Sequence, residues 1–232
     1  MGLTKHLPNA ITCMNLVCGM LGMVAVAEGN WQLAPFFIWA GGVFDLFDGL
    51  VARALKVHSE IGKQLDSLAD MVTFGALPTL LLYQLIDLLA PDTYLRYAAI
   101  LVAVAAALRL AKFNIDDQQA TEFRGLATPA AALLLSGLVF WVKPLTMPQP
   151  AVAYALAAGA VAVAALMVSR LRFFAFKLGG HASKTTNVLK VSFLVLAIVA
   201  AVLLYEKAIA IIIILYILLS VIGHLVTLKN PS

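Results

Sequence analysis

The stretch Asp45–Asp70, DLFDGLVARALKVHSEIGKQLDSLAD, places four carboxylates and an arginine between two apolar runs. IWAGGVF leads into Asp45, and MVTFGALPTLLLYQLI follows Asp70. About 20 apolar residues cross a hydrocarbon core, so the pattern predicts two membrane helices, with two aspartates near the facing end of each. On a helix, Asp45, Asp48, Gly49 and Ala52 share one face of about 100°, with Arg53 at its edge. Gly62, Asp66 and Asp70 lie four apart and stack along one stripe. A polar hairpin of about ten residues joins the two helices, which lets the two faces meet as antiparallel neighbours. An ionisable group at membrane depth is expensive and marks a functional site by default.

The rest of the chain agrees with a membrane setting. Of 232 residues, 62% are hydrophobic and 12% charged, against about 45–50% and 25% in soluble domains. Glycine, proline and charge divide the sequence into eight candidate spans, at 9–27, 32–54, 64–86, 93–113, 128–142, 150–169, 188–205 and 208–226. The expected fold is therefore an all-α polytopic bundle, a single domain over residues 1–232. The first run is read as a helix that stays, being long for a signal-peptide core. Cys13 and Cys18 point to different faces of it, so neither a disulfide nor a metal site is indicated.

The basic residues fix an expected orientation. With the N-terminus in the cytoplasm, Lys5, Arg53, Lys56, Lys63, Arg109, Lys112, Arg124, Arg170, Arg172, Lys177, Lys184, Lys190 and Lys229 fall inside, and Arg96, Lys143 and Lys207 outside. That asymmetry follows the positive-inside rule and places both termini in the cytoplasm. The net charge of +4 thus reads as topology, and no basic patch with interleaved aromatics suggests nucleic acid. The stretch 170–190, RLRFFAFKLGGHASKTTNVLK, suits a lipid surface, with aromatic bodies and basic heads for anionic headgroups.

Four carboxylates converging in low dielectric need protons or a divalent cation to offset their repulsion. An all-oxygen set without Cys or His suits Mg²⁺, Mn²⁺ or Ca²⁺ rather than zinc. Gly49, Ala52 and Gly62 leave room for a bulky group, although small residues also serve plain helix packing.

The spacing D-x2-D-G-x2-A-R-x8-G-x3-D-x3-D is met at every fixed position, by Asp45, Asp48, Gly49, Ala52, Arg53, Gly62, Asp66 and Asp70. It resembles the signature of the CDP-alcohol phosphatidyltransferase family. The resemblance implies that Asp45, Asp48 and Asp66 ligate a divalent-metal pair, Mg²⁺ or Mn²⁺, against the diphosphate of a CDP-linked lipid. It implies that Asp70, also near the metals, is the base for the acceptor hydroxyl, and that Gly49, Ala52, Arg53 and Gly62 line the CDP site. Homodimers in a cell inner membrane, with the site facing the cytoplasm, are implied as well.

LPNAITCMNLVCGMLG, RLAKFNI and FRGLATPAAA resemble the phosphatidylserine synthases of that family, with Ala127 where a proline is expected. The implied substrates are CDP-diacylglycerol and L-serine. Asn9 and Thr12 are candidates for hydrogen bonds to substrate, the alternative being helix-start chemistry after Pro8. Arg109, Lys112 and Arg124 are candidates for an acceptor carboxylate, with membrane anchoring as the alternative. A phosphorylated acceptor such as glycerol 3-phosphate or inositol phosphate would use the same residue types. An ion or proton transporter accounts for the acids but not for the Gly, Ala and Arg at fixed offsets.

Overall fold

The computed structural model describes residues 6–57, 59–115, 125–143, 145, 147–171, 173, 193 and 196–229, the last seven of these as backbone alone. The described elements are helices: α1 (Leu7–Ala27), α2 (Ala34–Leu55), α3 (Glu60–Asp70), α4 (Leu77–Leu89), α5 (Ile100–Ile115), α6 (Thr128–Val142), α7 (Pro150–Val168), α8 (196–204) and α9 (Ala208–Lys229). Six helical stretches among them are long and apolar enough to cross a membrane, and Thr128–Val142 is a shorter apolar helix. The last of the six, Leu196–Ile222, is interrupted at Tyr205–Lys207. There Tyr205 takes φ +49, a left-handed conformation that a helix does not continue through. The break falls where the sequence separates its last two spans, and most of residues 188–195 lie outside the described set.

The bundle is apolar on both its inside and its outside, as lipid exposure requires. α4 lies at its centre: Leu77, Leu81, Leu82, Leu85 and Ile86 are at most 1% exposed. In contrast, Met14, Val17, Leu21, Val43, Leu46, Phe47 and Leu50 point outward from α1 and α2. Without a hydrophobic force between helices in lipid, close packing through small residues brings them together. A Cβ on Gly19 would lie 2.5 Å from Thr73 Oγ1, and one on Gly41 or Gly22 would collide with Thr73 and Leu77 respectively. α1 and α2 can therefore approach the segment that carries Thr73 and Leu77 only because these positions lack side chains.

Two local features differ from expectation. The connection between α2 and α3 is four residues, 56–59, rather than ten. Lys56 at φ +53 closes α2, with Lys56 N–H donating to Arg53 O and Val57 N–H to Ala52 O, a Schellman-type stop. Ser59 then caps α3 by accepting from Gly62 N–H at 2.9 Å, so helix resumes at once. Secondly, α3 and α4 are joined through a π-helical turn, Met71–Ala76, into one rod over Glu60–Leu89. Pro78 supplies no N–H to the carbonyl of Phe74 and its ring crowds that carbonyl. A wider turn just before the proline relieves both problems, and such turns gather at functional sites.

Candidate active site

The site is built at one end of the α1, α2 and α3 helices. The face of α2 that carries Asp45 and Asp48 meets the stripe of α3 that carries Asp66, and one carboxylate oxygen from each of the three lies within 4.8 Å of the others. Asp48 is buried, and Asp45 and Asp66 are half-buried. Asp70 stands one turn further along α3, 8% exposed, and accepts a hydrogen bond from Asn15 Nδ2 at 3.1 Å. Among the described residues, no Lys, Arg or His forms an ion pair with any of the four.

The start of α1 forms the third wall. Thr12 Oγ1 donates to Asp48 Oδ2 at 2.6 Å and also lies 3.1 Å from Pro8 O. The single hydroxyl proton serves one of these acceptors at a time: the contact to Pro8 O is local to the helix, and the shorter one ties α1 to α2 through an aspartate. Asn9 lies against the first turn of α3: a Cβ on Gly62 would sit 2.9 Å from Asn9 Oδ1 and 2.9 Å from Ser59 Oγ. Gly62 is thus required by the approach of α1. Gly49 is different, because the nearest atom to a Cβ there is Arg53 Nη2 at 3.9 Å. The guanidinium of exposed Arg53 folds back over open space beside Gly49, and Ala52 is half-buried on the same helix.

The basic candidates on α5 separate. Lys112 is exposed, whereas Arg109 is half-buried and directs Nη1 toward Met167 O at 3.5 Å and toward Gly125. Gly125, at φ +74, has no room for a Cβ against the carbonyls of Met167 and Ser169. Arg109 is therefore held at the end of α7, where a cation complements the last carbonyls of a helix. Arg124 lies outside the described residues, as do most of residues 170–190. Ala127 has φ −60 and ψ 140, a backbone that proline would also adopt, so its replacement of the expected proline leaves the turn into α6 intact.

Contacts that the sequence did not reveal also shape the site. Asn15 on α1 and Thr73 on the π turn are fully buried and meet each other, with Thr73 Oγ1 donating to Asn15 O at 2.9 Å. Asn114 ties α5 to α3: its Nδ2 donates to Ser67 Oγ at 2.9 Å and its carbonyl accepts from Lys63 Nζ at 2.9 Å. The helical 3-3-4-3 spacing of Asn9, Thr12, Asn15, Gly19 and Gly22 was the available signal for the buried face of α1.

A sequence model of the CDP-alcohol phosphatidyltransferase family matches residues 5–164. The chain belongs to this family. The match runs from the start of α1 into α7 and so takes in every residue of the aspartate site. A protein of Bacillus subtilis strain 168 named CDP-diacylglycerol–serine O-phosphatidyltransferase is 35% identical over 173 residues, 75% of this chain and 92% of its own length. Proteins of the same name from Mycobacterium bovis and Methanocaldococcus jannaschii are 34% and 36% identical. Those two matches cover 57% and 55% of this chain, and about half of the relatives' own lengths, 48% and 57%.

Proposed function

We propose that this membrane transferase acts in phospholipid biosynthesis by moving the phosphatidyl group of CDP-diacylglycerol to the hydroxyl of L-serine. The convergence of three carboxylates within 4.8 Å at the family's own spacing carries the family chemistry. The choice of serine is supported by relatives of that name in bacteria and an archaeon.

The donor set fits a hard divalent cation: three carboxylates with no basic partner among the described residues and no sulfur or imidazole in the group. Asp45, Asp48 and Asp66 would hold Mg²⁺ or Mn²⁺, in one or two ions, with Thr12 fixing the Asp48 carboxylate. When bound, such a cation neutralises charge on the diphosphate and the departing phosphate oxygen. The open face at Gly49 and Ala52, with Arg53 over it, takes the cytidine diphosphate end of the donor. Asp70 accepts the proton of the serine hydroxyl while its oxygen attacks the phosphorus bonded to diacylglycerol. The bond from that phosphorus to the CMP oxygen breaks, giving phosphatidylserine and CMP. Positioning and charge stabilisation dominate such a displacement. Arg109, Lys112 and Arg124 are the candidates for the serine carboxylate, with Arg109 already anchored at its guanidinium. The site faces the cytoplasm of a cell inner membrane in this reading, and the protein acts as a homodimer.

The test is CMP release by the purified protein with CDP-diacylglycerol and Mn²⁺ or Mg²⁺, comparing L-serine, glycerol 3-phosphate and inositol phosphate. Serine-dependent release is expected, lost in Asp70→Asn while CDP-lipid binding persists. Release with another acceptor only would retain the family chemistry and overturn the serine assignment. Full activity in Asp70→Asn would remove the proposed base.

A further inference from the structure

Asn15 is an amide buried completely in a membrane helix, outside the spacing that marks the family. A buried amide is costly unless its groups are partnered, and Asn15 is only partly so: Nδ2 donates to Asp70 Oδ1, whereas Oδ1 has no partner. An aliphatic residue would pack there without that cost, so packing does not account for the asparagine. What the asparagine alone supplies is a directed N–H on the Asp70 carboxylate.

The surroundings hold that N–H in place. Thr73 Oγ1 donates to the Asn15 carbonyl at 2.9 Å, and Thr73 lies on the π turn three residues past Asp70. One residue of α1 is thereby tied twice to the rod that bears Asp70, by side chain and by backbone. The approach is close because Gly19 and Gly41 have no side chains. A Cβ on Gly19 would fall 2.5 Å from Thr73 Oγ1, and one on Gly41 would fall 2.8 Å from Asn15 Oδ1. The amide therefore has little freedom to turn away from the aspartate.

We propose that Asn15 is a positioning residue: it engages Asp70 Oδ1, sets the carboxylate plane and reserves Oδ2 for the acceptor hydroxyl, with Thr73 holding Asn15 in register. The inference rests on the reading of Asp70 as the base. A misplacement of about 1 Å at such a group costs on the order of 10²-fold in rate.

The experiment measures kcat, the KM for CDP-diacylglycerol and the melting temperature of the purified full chain, with wild type and Asp70→Asn in the same assay. Asn15→Leu is expected to lower kcat by about 10- to 100-fold, to leave the donor KM within about twofold, and to keep the melting temperature near that of the wild type, because removal of the unpartnered amide oxygen offsets the hydrogen bond that buried Asp70 gives up. Thr73→Val is expected to lower kcat by a smaller factor, and Thr73→Ser to recover most of that loss by restoring the hydroxyl. Wild-type kcat in Asn15→Leu overturns the proposal, as does a kcat loss matched by a raised KM and a lower melting temperature. If Asn15→Leu does not fold, Asn15→Ala carries the same test, with retained kcat again overturning it. Failure of the underlying reading looks different: Asp70→Asn stays active, or the wild type turns over no acceptor.

Discussion

The chain carries carboxylates of two kinds on its apolar helices. At the end of the bundle away from the site, Asp87 is paired with Arg96, and the Arg96 guanidinium also lies 5.5 Å from the ring centre of Tyr83 and 5.6 Å from that of Tyr97. That acid has its cation built in, with side chains 32% and 25% exposed. Of the four site acids, Asp48 accepts a hydrogen bond from Thr12 and Asp70 one from Asn15, and none of Asp45, Asp48, Asp66 and Asp70 has a described basic partner. Neutral donors orient a carboxylate without cancelling its charge. The contrast separates an acid paired within the fold from acids that, in the proposed function, hold a cation against a phosphate.

The sharpest way to break the comparison is to remove a site carboxylate. Asp45→Asn should lower turnover by at least about 10²-fold, the scale for losing one charge-stabilising group. In chelator, the variant should melt at or above the wild-type temperature, since like charges no longer crowd one another. Adding Mn²⁺ or Mg²⁺ should then reverse the order. A ligand at a hundred times its Kd stabilises the native state by about 2.7 kcal/mol, and the variant should lose most of that gain. Thermal scans with and without metal check this crossing. A wild type indifferent to divalent ions would leave the two ends of the molecule alike in kind.

The opposite end should respond in the opposite sense. Arg96→Leu strands Asp87 and removes the cation beside the Tyr83 and Tyr97 rings, so the melting temperature should fall. Turnover per folded molecule should stay within about twofold, because neither residue approaches the aspartate cluster. Large losses are confined to named mechanisms, and leaving a charge without its partner is one of them. A collapse of kcat at unchanged stability would show that the two ends are coupled, and the division between them would fail.

How much of the molecule was legible in the sequence follows the same division. The aspartates could be placed from their spacing alone, because helical periodicity fixes which residues share a face and the loop between the helices is short. The bundle was legible for a similar reason: apolar length is a direct record of bilayer thickness. The loop is shorter than its polarity suggests because the Lys56 stop and the Ser59 cap act through backbone geometry. The π turn at Met71–Ala76 and the bond from Asn15 to Asp70 were hidden for another reason. Each depends on how closely two helices approach, and that distance is set jointly by Gly19, Gly41 and Thr73 on three different segments. Arg109 shows the limit from the other side. Its type and depth mark it as a candidate for substrate, but they do not foretell the helix-end carbonyl toward which its guanidinium is directed.

The smallest expected effect concerns the turn that holds that carbonyl near Arg109. Ala127 stands before Thr128–Pro129 with φ −60 and ψ 140, so Ala127→Pro asks the backbone for no new angle. Among the described residues, none of the turn hydrogen bonds around it uses the Ala127 N–H; they run from Gly125 to Leu171, from Leu126 to Leu166 and from Ala131 to the Ala127 carbonyl. Proline at such a position stabilises by restricting the unfolded chain, typically by about 0.4–1 kcal/mol. The substitution should raise the melting temperature slightly and leave the serine-dependent rate within about twofold. A loss of stability would mean that Leu126, which proline pushes toward extended angles, is fixed elsewhere by its buried packing. The turn into α6 would then owe its shape to the core beneath it and not to its own backbone preferences.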